Sequence, residues 1–310
     1  MYVKFSQYIK QCRTRYKLTQ EQLSEELYIF DESFIGVDSR TISRWEHAQT
    51  KPSIERIISI IRFFQSKSGV VLPCFDNLDR TAIENEICKV GIKNLIGSSK
   101  EHILNYPSKL FTVEDITITH LRSKTDITLA LELPVDVMQN LSGGAFSFSK
   151  EQLQKLALHP SNIFLLSEYK QNFAGMFFVL YLRQDVFEKL MQFEITIKDL
   201  TVDDIADTNE EGCSVPLTFF ALNDKTATLL ILRYYAYLIA NQRYIVSVGT
   251  TPLLESGKKI VQKMHLQRFQ EKQTKYGTIT SYKASLDTVL VNKSLVKILF
   301  QKQNCPKDSI

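Results

Sequence analysis

The chain opens with apolar positions that recur every three or four residues. Phe5, Ile9, Cys12 and Tyr16 share one face of a helix. Thr19 caps a second helix, Gln22 completes a capping box three residues on, and Leu23 and Leu27 form its apolar side. A loop over 28–38 leads to a third helix over 39–46, which Asp38 caps. Ile42 and Trp45 fall on one side of that helix, and Ser39, Arg40, Thr41 and Arg44 on the other. The run Thr50-Lys51-Pro52-Ser53 separates it from a fourth helix that buries Ile54, Ile57, Ile58, Ile61 and Phe64. Four short helices around one small core predict a compact all-α domain over residues 1–66.

Past Gly69 the pattern changes. A brief extended run, 70–72, stops at Pro73, and Asp76-Asn77 supplies turn chemistry. A helix is expected over 81–95, with Ile83, Ile87, Val90 and Leu95 on one face, before 94–99 breaks it. Residues 67–111 therefore read as a helical connector. Its apolar stripe packs either in a dimer interface or on the second domain. From residue 112, Ile116, Ile118 and His120 alternate as in a strand. Helices follow over 126–139, shortened or kinked at Pro134, and over 150–158, capped by Ser149. Strands over 162–168 and 173–183 form a hairpin around Lys170-Gln171-Asn172. Then come a short helix at 186–191, a strand at 215–222, a helix at 226–241, a strand at 244–248, a helix at 257–266 and a strand at 278–286. This alternation argues a mixed sheet with helices on its faces over 112–300, with a tail at 301–310. The fold class is multidomain, α followed by α/β.

The 310 residues suffice for about two domains at the usual ~100–200 residues each. Net charge is +4, and the first 70 residues hold 11 basic against 8 acidic side chains. That excess points weakly towards a polyanion, because placement matters more than the sum. The five cysteines, Cys12, Cys74, Cys88, Cys213 and Cys305, are scattered, with no C-x-x-C and no zinc-ligand spacing. They fit a reduced, cytoplasmic protein without a metal. No stretch approaches the ~20 apolar residues of a membrane span; the longest is Phe173 to Leu182. Lys4 and Lys10 interrupt the start, so no signal peptide is expected.

Leu18-Thr19-Gln20-Glu21-Gln22-Leu23, then Ser39-Arg40-Thr41-Ile42-Ser43-Arg44-Trp45-Glu46, then Lys51-Pro52-Ser53 resembles the XRE group of lambda-repressor-like helix-turn-helix domains. The resemblance covers about 60 residues and implies a double-stranded DNA partner, with the N-terminal part of helix 3 in the major groove. It implies base or backbone contacts from Ser39, Arg40, Thr41 and Arg44. Gln20, Thr50 and Lys51 would flank them on phosphates. Two departures stand out. The loop before helix 3 is longer than the family's turn and holds Phe30 and Phe34. Ala48 replaces the glycine that usually follows the Trp-Glu unit.

The element order over 112–300 resembles the GNAT (N-acetyltransferase-like) fold, through the Gly175-Met176-Phe177 strand, the strand and helix flanking Asn223 to Thr228, and the closing strands. Active members carry a glycine-rich loop whose backbone N–H groups bind the pyrophosphate of acetyl-CoA at a helix N-terminus. The matching run here is Asn223-Asp224-Lys225-Thr226-Ala227-Thr228, without glycine. Asn223, Lys225, Thr226, Ala227 and Thr228 are thus the candidate cofactor contacts, for an acyl-CoA that is a ligand more than a required cofactor. No tyrosine general acid has a counterpart near 254–265. Glu210 and Glu211 read as solvated, and His159 and His265 as structural, so no catalytic residue is assigned. The resemblances together imply a homodimeric transcription regulator whose second domain is non-catalytic. Two alternatives stay open: an active acyltransferase targeted by its helix-turn-helix, and an adaptor that contacts protein alone.

Overall fold

The computed structural model describes residues 4–75, 79–85, 87–88, 115–128, 130–131, 149–253, 255–274 and 277–300. The chain divides into two compact units, each discontinuous in sequence. One takes residues 1–99 with 232–242 and 290–310; the other takes 100–231 with 243–289.

The first unit is helical. Helix α1 (Phe5–Arg15) buries Phe5, Tyr8, Ile9 and Cys12. Helix α2 (Gln20–Phe30) starts on the expected capping box: Thr19 Oγ1 accepts from the Gln22 amide at 3.0 Å, and Gln22 Oε1 accepts from the Thr19 amide at 2.8 Å. Helix α3 (Ser39–Glu46) starts on Asp38, whose Oδ1 accepts from the Thr41 amide at 2.8 Å. Helix α4 (Ile54–Ser68) starts on Ser53 and ends on Gly69, which takes the left-handed conformation that spares it a Cβ clash.

The long link before α3 is less of a loop than its length suggests. Helix α2 runs on to Phe30, and a 3-10 turn, Glu32–Phe34, plants Phe34 in the core. Asp31 ties this turn down, accepting from the Ser33 amide at 2.8 Å and from Ser59 Oγ on α4 at 2.5 Å. Tyr28, Ile29, Phe30 and Ile35 stay exposed. The helix expected over 81–95 is present at 80–85 and 87–88; the rest of it lies outside the described residues.

The second unit is mixed α/β, built on a seven-stranded sheet. Its strands are β1 (Ile116–His120), β2 (Ile163–Tyr169), β3 (Asn172–Leu182), β4 (Gly212–Ala221), β5 (Ile245–Thr250), β6 (Gln267–Thr274) and β7 (Gly277–Ser285). They lie in the order β1-β2-β3-β4-β5-β7-β6. Every neighbouring pair is antiparallel except β4 and β5, which run parallel. Strand β3 is buried along most of its length, which explains its continuous apolar run. On one face, Phe164, Met176, Phe178, Leu180 and Leu182 pack with helices α5 (Lys150–Ala157) and α6 (Gln184–Met191). Helix α7 (Asp224–Ala240) links β4 to β5, and its residues from Leu232 onward belong to the first unit. Helix α8 (Glu255–Lys263) precedes β6. The expected helix over 126–139 is present at 124–128 and 130–131; its remainder, with Pro134, lies outside the described residues.

Three elements were not expected. Strand β6 shows no alternation because seven of its eight residues are exposed. Polar and charged side chains of this kind protect a sheet edge from pairing with another chain. Helices α9 (Leu286–Leu290) and α10 (Lys293–Phe300) follow the last expected strand, where no element was expected. Helix α10 is capped by Asn292, whose Oδ1 accepts from the Leu295 amide at 2.8 Å. It completes the core of the first unit, with the Phe300 ring 5.8 Å from Phe5 and 5.3 Å from Tyr8.

Candidate functional site

Helix α3 is fixed from its inner side. Ile42 and Trp45 are buried, as their spacing predicts. Glu46 is buried with them, its side chain 1% exposed. Its carboxylate accepts from Arg13 Nε at 2.6 Å, Arg13 Nη2 at 3.1 Å and Gln20 Nε2 at 2.7 Å. Arg13 Nη1 also donates to the Leu18 carbonyl at 2.7 Å. One buried carboxylate thus joins α1, the start of α2 and the end of α3. Sequence reasoning assigned no role to Arg13 or to the Glu46 carboxylate. The available signal was a carboxylate on the inward side of an amphipathic helix, which needs a cation.

The outer side is free. Arg40 and Arg44 lie one helical turn apart, both exposed, and make no hydrogen bond or ion pair among the described residues. The other expected contacts differ. Thr41 Oγ1 donates to Asp38 Oδ1 at 2.7 Å, so its hydroxyl serves the cap, and these bonds hold the Asp38 carboxyl below the usual range. Ser39 is half-buried at the helix start, and Thr50 is exposed. The Gln20 carboxamide donates to Glu46. Lys51 Nζ donates to the Phe300 carbonyl at 2.5 Å, and partial burial pushes its pKa down. Gln20 and Lys51 therefore reach a phosphate only by giving up an internal bond.

Helix α3 ends at Ala48, which has φ of 57°. The Ala48 amide bonds the Trp45 carbonyl at 3.1 Å, and the Gln49 amide bonds the Arg44 carbonyl at 2.9 Å. This is the Schellman arrangement that glycine normally serves, carried out by a residue with a Cβ.

The second candidate lies where β4 and β5 part. They pair only at Gly212↔Ile245, Cys213↔Ser247 and Ser214↔Val248. Past Ser214, β4 continues along β3, with a bulge that leaves Leu217 without a partner. Thr250 Oγ1 donates across the opening to the Pro216 carbonyl at 2.7 Å, and Pro216 has no N–H to offer. Helix α6 covers one face here. A Cβ on Gly249 would lie 2.7 Å from both Met191 Sδ and the Phe187 ring. Ser281 Oγ donates to the Met191 carbonyl at 2.7 Å, and Lys283 Nζ to Glu188 at 2.7 and 3.0 Å.

An acyl-CoA implied by this fold would lay its pyrophosphate on the first turn of α7. The residues there do not fit it. Asn223, Thr226 and Ala227 have no exposed surface, and Lys225 and Thr228 are half-buried. Asn223 Oδ1 already accepts from the Thr226 amide at 2.9 Å.

The remaining polar candidates are structural in their contacts. Glu211 accepts from Gln184 at 3.1 Å, and His159 Nδ1 accepts from the Ser161 amide at 3.3 Å. Burial pushes the thiols of Cys12 and Cys213 up to about 12 and that of Cys88 to about 11, so all three stay protonated and unreactive at neutral pH. Among the described residues no cluster of His, Cys, Asp or Glu could hold a metal, and no helix is long and apolar enough to cross a membrane.

No protein-family model and no curated protein matches the sequence. Solved structures are similar over part of the chain. An N-acyl amino acid synthase, FeeM, from uncultured soil microbes is 8% identical, with a TM-score of 0.38 over 55% of this chain and 90% of that one. Arabidopsis thaliana Naa50, in complex with a bisubstrate analogue, is 9% identical, at 0.34 over 55% and 99%. The PaiA N-acetyltransferase from Thermoplasma acidophilum, in complex with coenzyme A, is 14% identical, at 0.34 over 55% and 99%. A likeness this distant says nothing of activity or ligand. The GNAT-like architecture of the second unit rests on its own strand order and on the single parallel pair.

Proposed function

We propose that the chain is a sequence-specific DNA-binding transcriptional regulator, acting as a homodimer, whose GNAT-like unit is non-catalytic and serves sensing or dimerisation. The reading is carried by the two exposed guanidinium groups of Arg40 and Arg44, which make no hydrogen bond or ion pair among the described residues, presented on a helix that Ile42, Trp45 and Glu46 hold in place. A planar guanidinium pairs with guanine O6 and N7 in the major groove, each such pair giving ~1–3 kcal/mol of base discrimination. Two copies place two α3 helices on half-sites one helical turn apart. The test is genome-fragment selection with the purified chain, followed by titration of the selected duplex at fixed salt, because nonspecific affinity varies steeply with salt. Arg40→Ala with Arg44→Ala abolishes selectivity between the selected duplex and a scrambled one. Selectivity left unchanged by the double substitution overturns the reading.

A second reading, an active acyltransferase with a targeting helix-turn-helix unit, is favoured by one observation. Strands β4 and β5 stop pairing beyond Ser214, beside a bulge in β4. Release of free thiol from acetyl-CoA in the presence of amine acceptors, above the rate without protein, would support it over the first.

A further inference from the structure

The first turn of a helix leaves backbone N–H groups without partners inside the helix, which is why anions bind there. At α7 one of these groups is served by a side chain, and the helix ladder begins directly after it. The Thr226 amide donates to Asn223 Oδ1 at 2.9 Å, and the Ala227 amide to the Asn223 carbonyl at 3.0 Å. Asn223 Nδ2 donates in turn to Thr226 Oγ1 at 3.1 Å, which fixes the orientation of the carboxamide. We infer that the anion site at the start of α7 is filled by the chain itself: the Asn223 carboxamide oxygen stands where a pyrophosphate oxygen would accept, and the unit takes no acyl-CoA through that helix terminus.

Three further observations point the same way. Asn223 and Thr226 are both 0% exposed, so neither side chain of this pair meets solvent. The Thr226 methyl lies against β3: a Cβ on Gly175 would come within 2.9 Å of Thr226 Cγ2 and 2.6 Å of the Phe220 carbonyl oxygen. No layer of space separates strand from helix there. At the opening between β4 and β5, the backbone groups of Pro216 are not available to an extended ligand. The Pro216 carbonyl is taken by Thr250, and its nitrogen carries no hydrogen. Bringing a charged pyrophosphate to this turn would mean displacing the buried Asn223–Thr226 hydrogen bonds for a group that also loses its own hydration.

The experiment uses the full chain and two probes, coenzyme A and pantetheine, which lacks the pyrophosphate. Calorimetric titration at fixed ionic strength gives a coenzyme A affinity within twofold of that for pantetheine, or no saturable binding of either. A coenzyme A advantage above twofold overturns the inference. The variant Asn223→Gly with Thr226→Ala removes the carboxamide and the methyl together. It gains at least tenfold in affinity for coenzyme A and nothing for pantetheine. A variant that keeps the native circular dichroism and shows no such gain overturns the assignment to these two side chains. Should the variant fail to fold, the comparison of the two probes on the native chain still decides. The outcome is separate from DNA binding, which the Arg40 and Arg44 substitutions test.

Discussion

Helices α3 and α7 begin with the same device and present opposite surfaces. In each, an Asx side chain accepts from the amide three residues on: Asp38 from Thr41 at 2.8 Å, Asn223 from Thr226 at 2.9 Å. Asp38 is exposed and is followed by Arg40 and Arg44, which are exposed and make no hydrogen bond or ion pair among the described residues. Asn223 is fully buried, and the Thr226 it caps lies against β3. Cap chemistry therefore does not decide whether a helix start can meet a phosphate. Accessibility and the charges that follow the cap decide it. On this argument α3 is the better candidate for the polyanion contact of the proposed function, although the fold of the second unit alone would suggest α7.

The sharpest way to break the contrast is to release α3 from below. Glu46→Ala leaves Arg13 and the Gln20 carboxamide without their acceptor. Removing one partner of a buried ion pair costs about 3–5 kcal/mol, because the remaining charge stays desolvated. Urea denaturation of the variant, followed by the fluorescence of the single tryptophan, Trp45, reads this loss. Selective DNA binding falls with it, while the exposed arginines remain in the sequence. A loss below about 1 kcal/mol, the ordinary surface value, would show that the network does not hold the helix.

The contact that closes α7 is tested next. Gly175→Ala forces a Cβ into the Phe220 carbonyl and the Thr226 methyl. Overpacking of this kind costs about 1–3 kcal/mol. Pairing it with Thr226→Ser removes the methyl clash but leaves the backbone one, so only part of the stability returns. Thermal unfolding of the single and double variants measures both. Full recovery in the double variant would mean that β3 moves away from β4 easily, and the sealed-turn argument would weaken with it.

Legibility in the sequence followed the same division between local and nonlocal causes. The caps at Thr19, Asp38, Ser53 and Ser149 were readable because a cap needs only a short polar residue and a neighbour two or three positions away. Ile42 and Trp45 were readable as core because helical period alone fixes them. The first four helices of the chain and most of the sheet followed. What failed was nonlocal. Strand β6 carries no alternation, since neither of its faces is buried. Helix α10 shows a spacing, Leu295, Val296, Leu299 and Phe300, that period could have caught, but its partners Phe5 and Tyr8 lie almost 300 positions away in a unit that the sequence presents as finished by residue 66. Gln20 and Lys51 were placed on phosphates because each is a polar residue beside the right motif. Their internal acceptors, Glu46 and the Phe300 carbonyl, come from other elements.

A smaller effect sits at the far end of α3. The left-handed conformation of Ala48 brings its Cβ towards the following carbonyl, at about 1–2 kcal/mol. Ala48→Gly removes that strain but adds ~0.4–1 kcal/mol of unfolded-chain freedom. A net gain of about 0.5 kcal/mol follows, visible as a modest rise in the urea midpoint with an unchanged slope. A loss of stability instead would mean that the Ala48 methyl packs usefully.

The smallest effect separates the two caps by charge. Asp38 is ionised and Asn223 is not, so only α3 has a cap that titrates. The hydrogen bonds from the Thr41 hydroxyl and amide hold the Asp38 carboxyl below its ordinary value, which is about 3.9 for a free aspartate. A lowered folded-state pKa means that the cap's contribution is fully present above the ordinary value and is lost as the pH falls through the lowered one. Asp38→Asn keeps an acceptor for the Thr41 amide and removes the proton linkage. Stability profiles of the native chain and the variant should run parallel above pH 5 and converge below pH ~4, where the native cap protonates. Profiles that stay parallel through the acid range would show that the Asp38 carboxylate contributes nothing that a neutral amide does not, and the two helix starts would then differ in accessibility alone.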